Sequence, residues 1–135
     1  TNEAWLDYQL ATSTDPSFFD AQYNAALFAL NAGDLKRALA GSEMALAIQP
    51  DSINARYNFA LALKQADYPF DAVVELQRIL EAKPKEVRAH LTLGNLYAQQ
   101  LNEPGKARAH YLKVLELDPR NSQAAAIRFW LAANP

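Results

Sequence analysis

The sequence predicts an all-α fold, a solenoid of stacked antiparallel helix pairs. Pro16, Pro50, Pro84 and Pro119 recur at intervals of 34, 34 and 35 residues, and Ala4, Ala38, Ala72 and Ala107 keep the same beat. A fixed period of this length marks copies of one helix-turn-helix unit, which must stack because a single unit cannot bury its own apolar face. Half of the 135 residues are hydrophobic and only four are Gly, which supplies enough apolar material for a continuous core.

The elements follow from this period in chain order. Ala4, Tyr8, Ala11 and Pro16 stand 34 residues before Ala38, Ser42, Ala45 and Pro50. Residues 3–14 therefore read as the second helix of an earlier repeat whose first helix lies outside the sequence, and residues 1–18 are expected to be a truncated repeat. Residues 19–52, 53–86 and 87–121 align as three full repeats. In the first, residues 21–32 form the leading helix, Gly33-Asp34 supplies a stop and an N-cap, and residues 35–48 form the second helix, ending before Gln49-Pro50. In the second repeat Asp67 is expected to cap, with Pro69 in the first helical turn, where its missing N–H costs nothing. The third repeat carries one extra residue within Leu101-Asn102-Glu103-Pro104-Gly105. That insertion belongs in the turn, because one residue added inside a helix would rotate its apolar face by about 100°. Residues 122–135 hold a lone helix, residues 122–133, expected to cap the array.

Leu93-Gly94, Tyr97, Ala107, Tyr111 and Pro119 in the third repeat, with the same Ala and Pro marks in the other copies, resemble the tetratricopeptide repeat. The resemblance spans nearly the whole chain. It implies a right-handed superhelix whose leading helices line a concave groove. Gly94, Ala60 and Ala26 are small where two helices cross closely, and Ala38, Ala72 and Ala107 where the second helix meets the first. The first repeat departs from the pattern, offering Ala25, Ala26, Ala29 and Ser42 where the third has Leu93, Gly94, Tyr97 and Tyr111. Either its helices approach more closely or Phe18, Phe19 and Phe28 fill the space.

Charge and composition narrow the function. Residues 1–55 carry seven acids against Lys36 and Arg37, whereas residues 56–135 carry eleven bases against eight acids. This polarity lacks the dense basic stripe of a phosphate-binding surface, so nucleic acid is not an expected partner. No window approaches the roughly 18–20 apolar residues needed to span a bilayer, and membrane insertion is not expected. The absence of cysteine removes disulfide and thiol chemistry.

No catalytic, cofactor or metal site is predicted. His90 and His110 sit on different helices of one repeat without metal-ligand spacing, so surface or packing roles are expected of them. Ser42 follows Gly41 within a helix, where its hydroxyl can bond back to the preceding turn. No base, nucleophile and orienting group stand together.

A binding surface is expected on one face of the leading helices. Asp20, Tyr23, Asn24, Leu27, Leu30 and Asn31 fall within about 120° on a helical wheel, opposite Ala25 and Ala29, which are expected to face the partner helix. The equivalent face shows Asn54, Tyr57, Asn58, Leu61, Lys64 and Gln65 in the second repeat and Arg88, Leu91, Thr92, Asn95, Ala98 and Gln99 in the third. Tyr offers a large amphipathic contact, and an Asn amide can pair with both the N–H and C=O of an extended peptide. The competing reading has Tyr and Leu packing between adjacent leading helices. Relatives of the chaperone-binding kind grip a C-terminal carboxylate, and the resemblance places that role on Tyr23, Leu27, Asn58, Arg88 and Thr92. Only Asn58 is identical and Arg88 keeps the charge, which points to internal, extended segments instead. The expectation is a non-catalytic scaffold for a protein or peptide partner; the alternative is self-association through the ends of the array.

Overall fold

The computed structural model describes residues 16–135; the helix expected over residues 3–14 lies outside the described residues. Two compact units divide the chain, one ending at Tyr68 and the other running from Pro69 to Pro135. The first contains α1 (Pro16–Asn31), α2 (Leu35–Ile48) and α3 (Ile53–Gln65). The second contains α4 (Pro69–Ala82), α5 (Val87–Gln99), α6 (Pro104–Leu117) and α7 (Ala124–Ala133).

Local chemistry sets the helix ends. After α1, Asp34 N–H donates to Ala29 O and Gly33 N–H to Leu30 O, with Gly33 at φ +79°. This closes the last turn in a Schellman motif, where a left-handed residue satisfies otherwise orphaned carbonyls. After α3 the same pair of bonds runs from Tyr68 to Leu63 and from Asp67 to Lys64, and Asp67 takes φ +67°. Asp67 is thus the left-handed stop of α3 and not the N-cap expected for the next helix, a correction forced by the turn's need for positive φ. The extra residue of the third repeat does fall in the turn, where Glu103 N–H reaches Tyr97 O and Asn102 carries the positive φ of +50°. Between repeats, Ser52 N–H donates to Gln49 O, Glu86 N–H to Lys83 O and Asn121 N–H to Asp118 O, each across a turn with proline as its second residue. Asp34 caps α2 by accepting from Arg37 N–H, and Ser52 caps α3 by accepting from Ala55 N–H.

Two boundaries differ from expectation. α1 begins at Pro16, five residues before the expected start, because proline tolerates the first helical turn and nothing between Ser17 and Asp20 breaks a helix. α7 begins at Ala124 instead of residue 122, with Gln123 in the N-cap position.

In the first unit Ala29, Leu30, Ala38 and Ala62 form one buried cluster, and Phe19, Ala45 and Ala55 another. A β-carbon on Gly41 would stand 2.9 Å from Ala26 Cβ, so α1 and α2 are in near-backbone contact there. Phe28 is 77% exposed and does not fill the seam, whereas Phe19 is buried with Ala45 and Ala55, so close approach at Gly41 and packing of Phe19 both accompany the small residues of this repeat. Ala29 faces the partner helix as expected, but Ala25 is exposed.

The core of the second unit is larger in side-chain volume. Leu76 and Ile79 of α4, Leu93 and Leu96 of α5 and Val114 of α6 are fully buried, each contributing about 1.5–3 kcal/mol. Ala72 and Ala107 are also fully buried, as their repeat position requires. Tyr111 covers Gly94 and meets Trp130 of α7 edge-on, with ring centroids 5.1 Å apart. The Arg108 guanidinium reaches Asn134 O at 3.2 Å, satisfying a carbonyl beyond the end of α7 and tying it to α6.

Candidate functional site

The predicted face of the leading helices is only partly free. On α1, Asn24 and Asn31 are exposed, whereas Tyr23 and Leu27 are half-buried. Tyr23 stacks on Phe19 at 5.9 Å and packs against the Ala45–Ala55 cluster. Leu30 belongs to the core. On α3, Asn54 and Gln65 are exposed, and Tyr57, Asn58 and Leu61 are half-buried. Leu61 packs against the neighbouring core cluster. Tyr23 and Leu61 therefore combine a solvent edge with a packing role, as the competing sequence reading anticipates. Asn58 Nδ2 is a buried donor without a hydrogen-bond partner, and burial lowers the pKa of the Lys64 ammonium.

On α5, Arg88 and Gln99 are exposed and Asn95 is half-buried. Thr92, predicted to face the groove, is only 4% exposed, because the apolar stripe of this helix is wide enough to enclose it. Arg88 Nε lies 2.7 Å from Glu86 Oε1. Of the five positions matched to carboxylate capture, the one cation is thus ion-paired and Thr92 is enclosed.

The second unit converts part of this face into a pocket of about 260 Å³. Leu91, Asn95 and Gln99 line it from α5, and Tyr111 from α6. From α7 come Gln123, Ala126, Ile127, Phe129 and Trp130. Tyr111 O–H donates to Asn95 Oδ1 at 2.6 Å, which fixes the orientation of the amide and leaves Nδ2 as the donor. Burial raises the Tyr111 pKa, keeping the phenol in its donating form. The α7 residues were not among the predicted site residues, yet a signal existed. Gln123, Ala126, Ile127 and Trp130 follow Arg88, Leu91, Thr92 and Asn95 by 35 residues, so α7 repeats the register of a leading helix.

A second groove, about 590 Å³, runs along the α1–α2 seam past Ala25, Phe28, Ala29, Gly41 and Met44. The third repeat has Leu93, Tyr97 and His110 at the positions of Ala25, Ala29 and Gly41, so the groove reflects missing side-chain volume.

The two histidines, separate in sequence, meet. His90 Nε2 lies 2.8 Å from Pro84 O, a carbonyl that can only accept, so His90 carries its proton there. Its Nδ1 then accepts from His110 Nδ1, 3.1 Å away. Burial first, and the His90 charge second, lower the His110 pKa to about 4. Tyr97 stacks on His110 with planes 11° apart, which makes the pair part of the α5–α6 packing. Among the described residues no group of three or more His, Cys, Asp or Glu side chains is placed to hold a metal ion. No helix among them is long and apolar enough to cross a membrane.

Residues 87–121 match the family model of the tetratricopeptide repeat. The chain superposes on the Arabidopsis OM64 TPR domain with a TM-score of 0.81 and 18% identity, covering 88% of this chain and 98% of that one. On the first TPR of Spaghetti (RPAP3) bound to HSP90 peptide SRMEEVD, the TM-score is 0.75 at 19% identity, covering 88% and 94%. The first TPR domain of the human RPAP3 protein gives 0.76 at 18% identity, covering 88% and 96%. Among curated proteins, the O-mannosyl-transferase Tmtc3 of Drosophila melanogaster is 27% identical over 101 residues, which amount to 75% of this chain and 11% of the fly protein.

Proposed function

We propose that this chain, whose fold is that of tetratricopeptide-repeat domains, is a non-catalytic scaffold that binds an extended segment of a partner protein along the inner faces of its leading helices. The carrying observation is the α5–α7 pocket, where the Asn95 amide is pre-oriented by Tyr111 beside an apolar floor. A donor fixed before binding loses little rotamer entropy when it meets a backbone carbonyl. Within the first unit, Asn24, Asn31 and Gln65 are exposed amides on α1 and α3. The peptide-bound RPAP3 relative lends support from the same fold, although the carboxylate-gripping positions are not reproduced here. The combined substitution Tyr57→Ala and Asn58→Ala tests the reading. It should weaken capture of partner peptides from an overlapping array while circular dichroism shows unchanged helicity. Full capture by a folded double variant would move the site away from the inner face of α3.

A second reading, self-association through the ends of the array, draws on Phe28 and Phe129, 77% and 80% exposed on the first and last described helices. Sizing chromatography at two salt concentrations separates the two. Concentration-dependent dimers that persist at both salt concentrations favour association through these apolar residues, and a monomer at both favours the scaffold.

A further inference from the structure

We propose that the α5–α7 pocket is the anchor subsite of the binding surface and takes one large, uncharged apolar side chain, aromatic or branched aliphatic, from the interior of an extended peptide. The inference rests on the scaffold reading above and specifies its ligand.

Three features select that chemistry. The first is charge. No carboxylate, ammonium, guanidinium or imidazole lines the pocket, and its one titratable group, Tyr111, is a phenol that donates to Asn95. A charged side chain or a terminal carboxylate entering there would lose hydration and find no counter-charge. The second is shape and surface. Leu91, Ala126 and Ile127 supply aliphatic walls, and the Tyr111 and Trp130 rings meet edge-on at 70°, so an incoming ring can add a further edge-to-face contact. An apolar cavity of about 150 Å³ holds a benzene ring; the 260 Å³ here accommodates one large side chain. The third is the backbone reading. Because the Tyr111 hydroxyl holds Asn95 Oδ1 on its own side, the amide is turned with Nδ2 as its remaining donor, and the complementary group is a peptide carbonyl next to the anchor residue. Exposed Gln99 and Gln123, which also line the pocket, can pair with the neighbouring peptide amides. A carbonyl on Asn95 can precede or follow the anchor residue, so it is the lack of any cation in the pocket lining, leaving a terminal carboxylate without a counter-charge, that favours an internal segment over a C-terminus.

The experiment uses the full chain with Trp5→Phe, so that Trp130 is the single tryptophan reporter. End-blocked, uncharged peptides differing only at a central Phe, Ala or Asp are titrated, together with a peptide ending in a free acidic C-terminus. The Phe peptide should bind about tenfold or more tightly than the others. It should change Trp130 emission and shift the Asn95 side-chain amide resonances. Ala126→Phe, which fills the pocket from an exposed position, should abolish these responses without loss of helicity. Equal affinity of the Phe, Ala and Asp peptides, or binding untouched by Ala126→Phe, overturns the subsite. If Tyr23 and Tyr57 resonances move while Trp130 stays silent, the subsite fails and the scaffold reading stands; if neither region responds to any peptide, both fail.

Discussion

The ring of Tyr111 occupies the space that a side chain at residue 94 would need: a β-carbon on Gly94 would lie 2.6 Å from Tyr111 Cδ1 and Cε1. The ring cannot retreat, because its hydroxyl is bonded to Asn95 and its edge packs with Trp130. The same contact that closes α5 on α6 also builds one wall of the candidate pocket, so helix packing and pocket shape depend on one residue.

Gly94→Ala should therefore destabilise the protein by about 1–3 kcal/mol, despite alanine's better helix propensity. Asn95→Ala should cost only about 1 kcal/mol, the net worth of a hydrogen bond to a half-buried hydroxyl. Urea denaturation followed by circular dichroism gives both values. The reverse order would show that the Gly94–Tyr111 contact is soft.

Gly41 and Ala26 form the corresponding contact of the first repeat. The added β-carbon in Gly41→Ala would meet Ala26 Cβ at 2.9 Å, a rigid neighbour that cannot rotate away. A double-mutant cycle with Ala26→Gly should show a favourable coupling of about 1–2 kcal/mol between the two changes. Additive effects would mean that α1 and α2 separate freely.

Gly33 and Gly105 both open onto empty space, but only Gly33 has positive φ. Gly33→Ala should cost about 1 kcal/mol, since alanine strains at that dihedral. Gly105→Ala, inside the first turn of α6, should be neutral or stabilising by up to about 1 kcal/mol. Melting temperatures that fall together would place the cost in packing, not in backbone conformation.

The histidine pair makes stability depend on pH. His110 has a folded pKa of about 4, lowered from 6.5 by burial and by His90. Between these values the unfolded chain binds the proton and the folded chain does not. The contribution is complete above about pH 6.5, is lost as pH falls, and levels off below about pH 4. His110→Phe, which can keep the stack on Tyr97, should flatten this part of the profile. Urea midpoints measured from pH 7.5 to 4 check the slope. A His110 titration near 6.5 by NMR would remove its cause.

Among the described residues the seven helices, the position of the three internal turns and the placement of the inserted residue were legible from the period. Turns are local: proline fixes φ at one end of a repeat, and Gly33, Asp67 and Asn102 take positive φ at the other, spaced by 34 and 35 residues. The small residues at the crossings were legible too, because repeat position names their neighbours. Asp67 shows the limit of such reading, since the same residue type suits an N-cap and a left-handed stop, and only the backbone hydrogen bonds decide which it becomes.

The candidate site was half legible. A helical wheel places Asn24, Asn95 and Gln99 on one face, but cannot say that Thr92 on that face is enclosed or that Tyr23 leans on Phe19. The pocket itself needed the tertiary structure, because its walls come from α5, α6 and α7, and the orientation of Asn95 is set by a hydroxyl 16 residues away. The His90–His110 contact is of the same kind, joining residues 20 apart through the pairing of two helices. Sequence alone determined the period and, among the described residues, the helices, since those arise from dihedral preference and hydrogen bonds within a few residues. Only the tertiary structure decided which side chains share a pocket, because that depends on how closely the helices pack, and at Gly94 and Gly41 the closeness is set by atoms on the neighbouring helix.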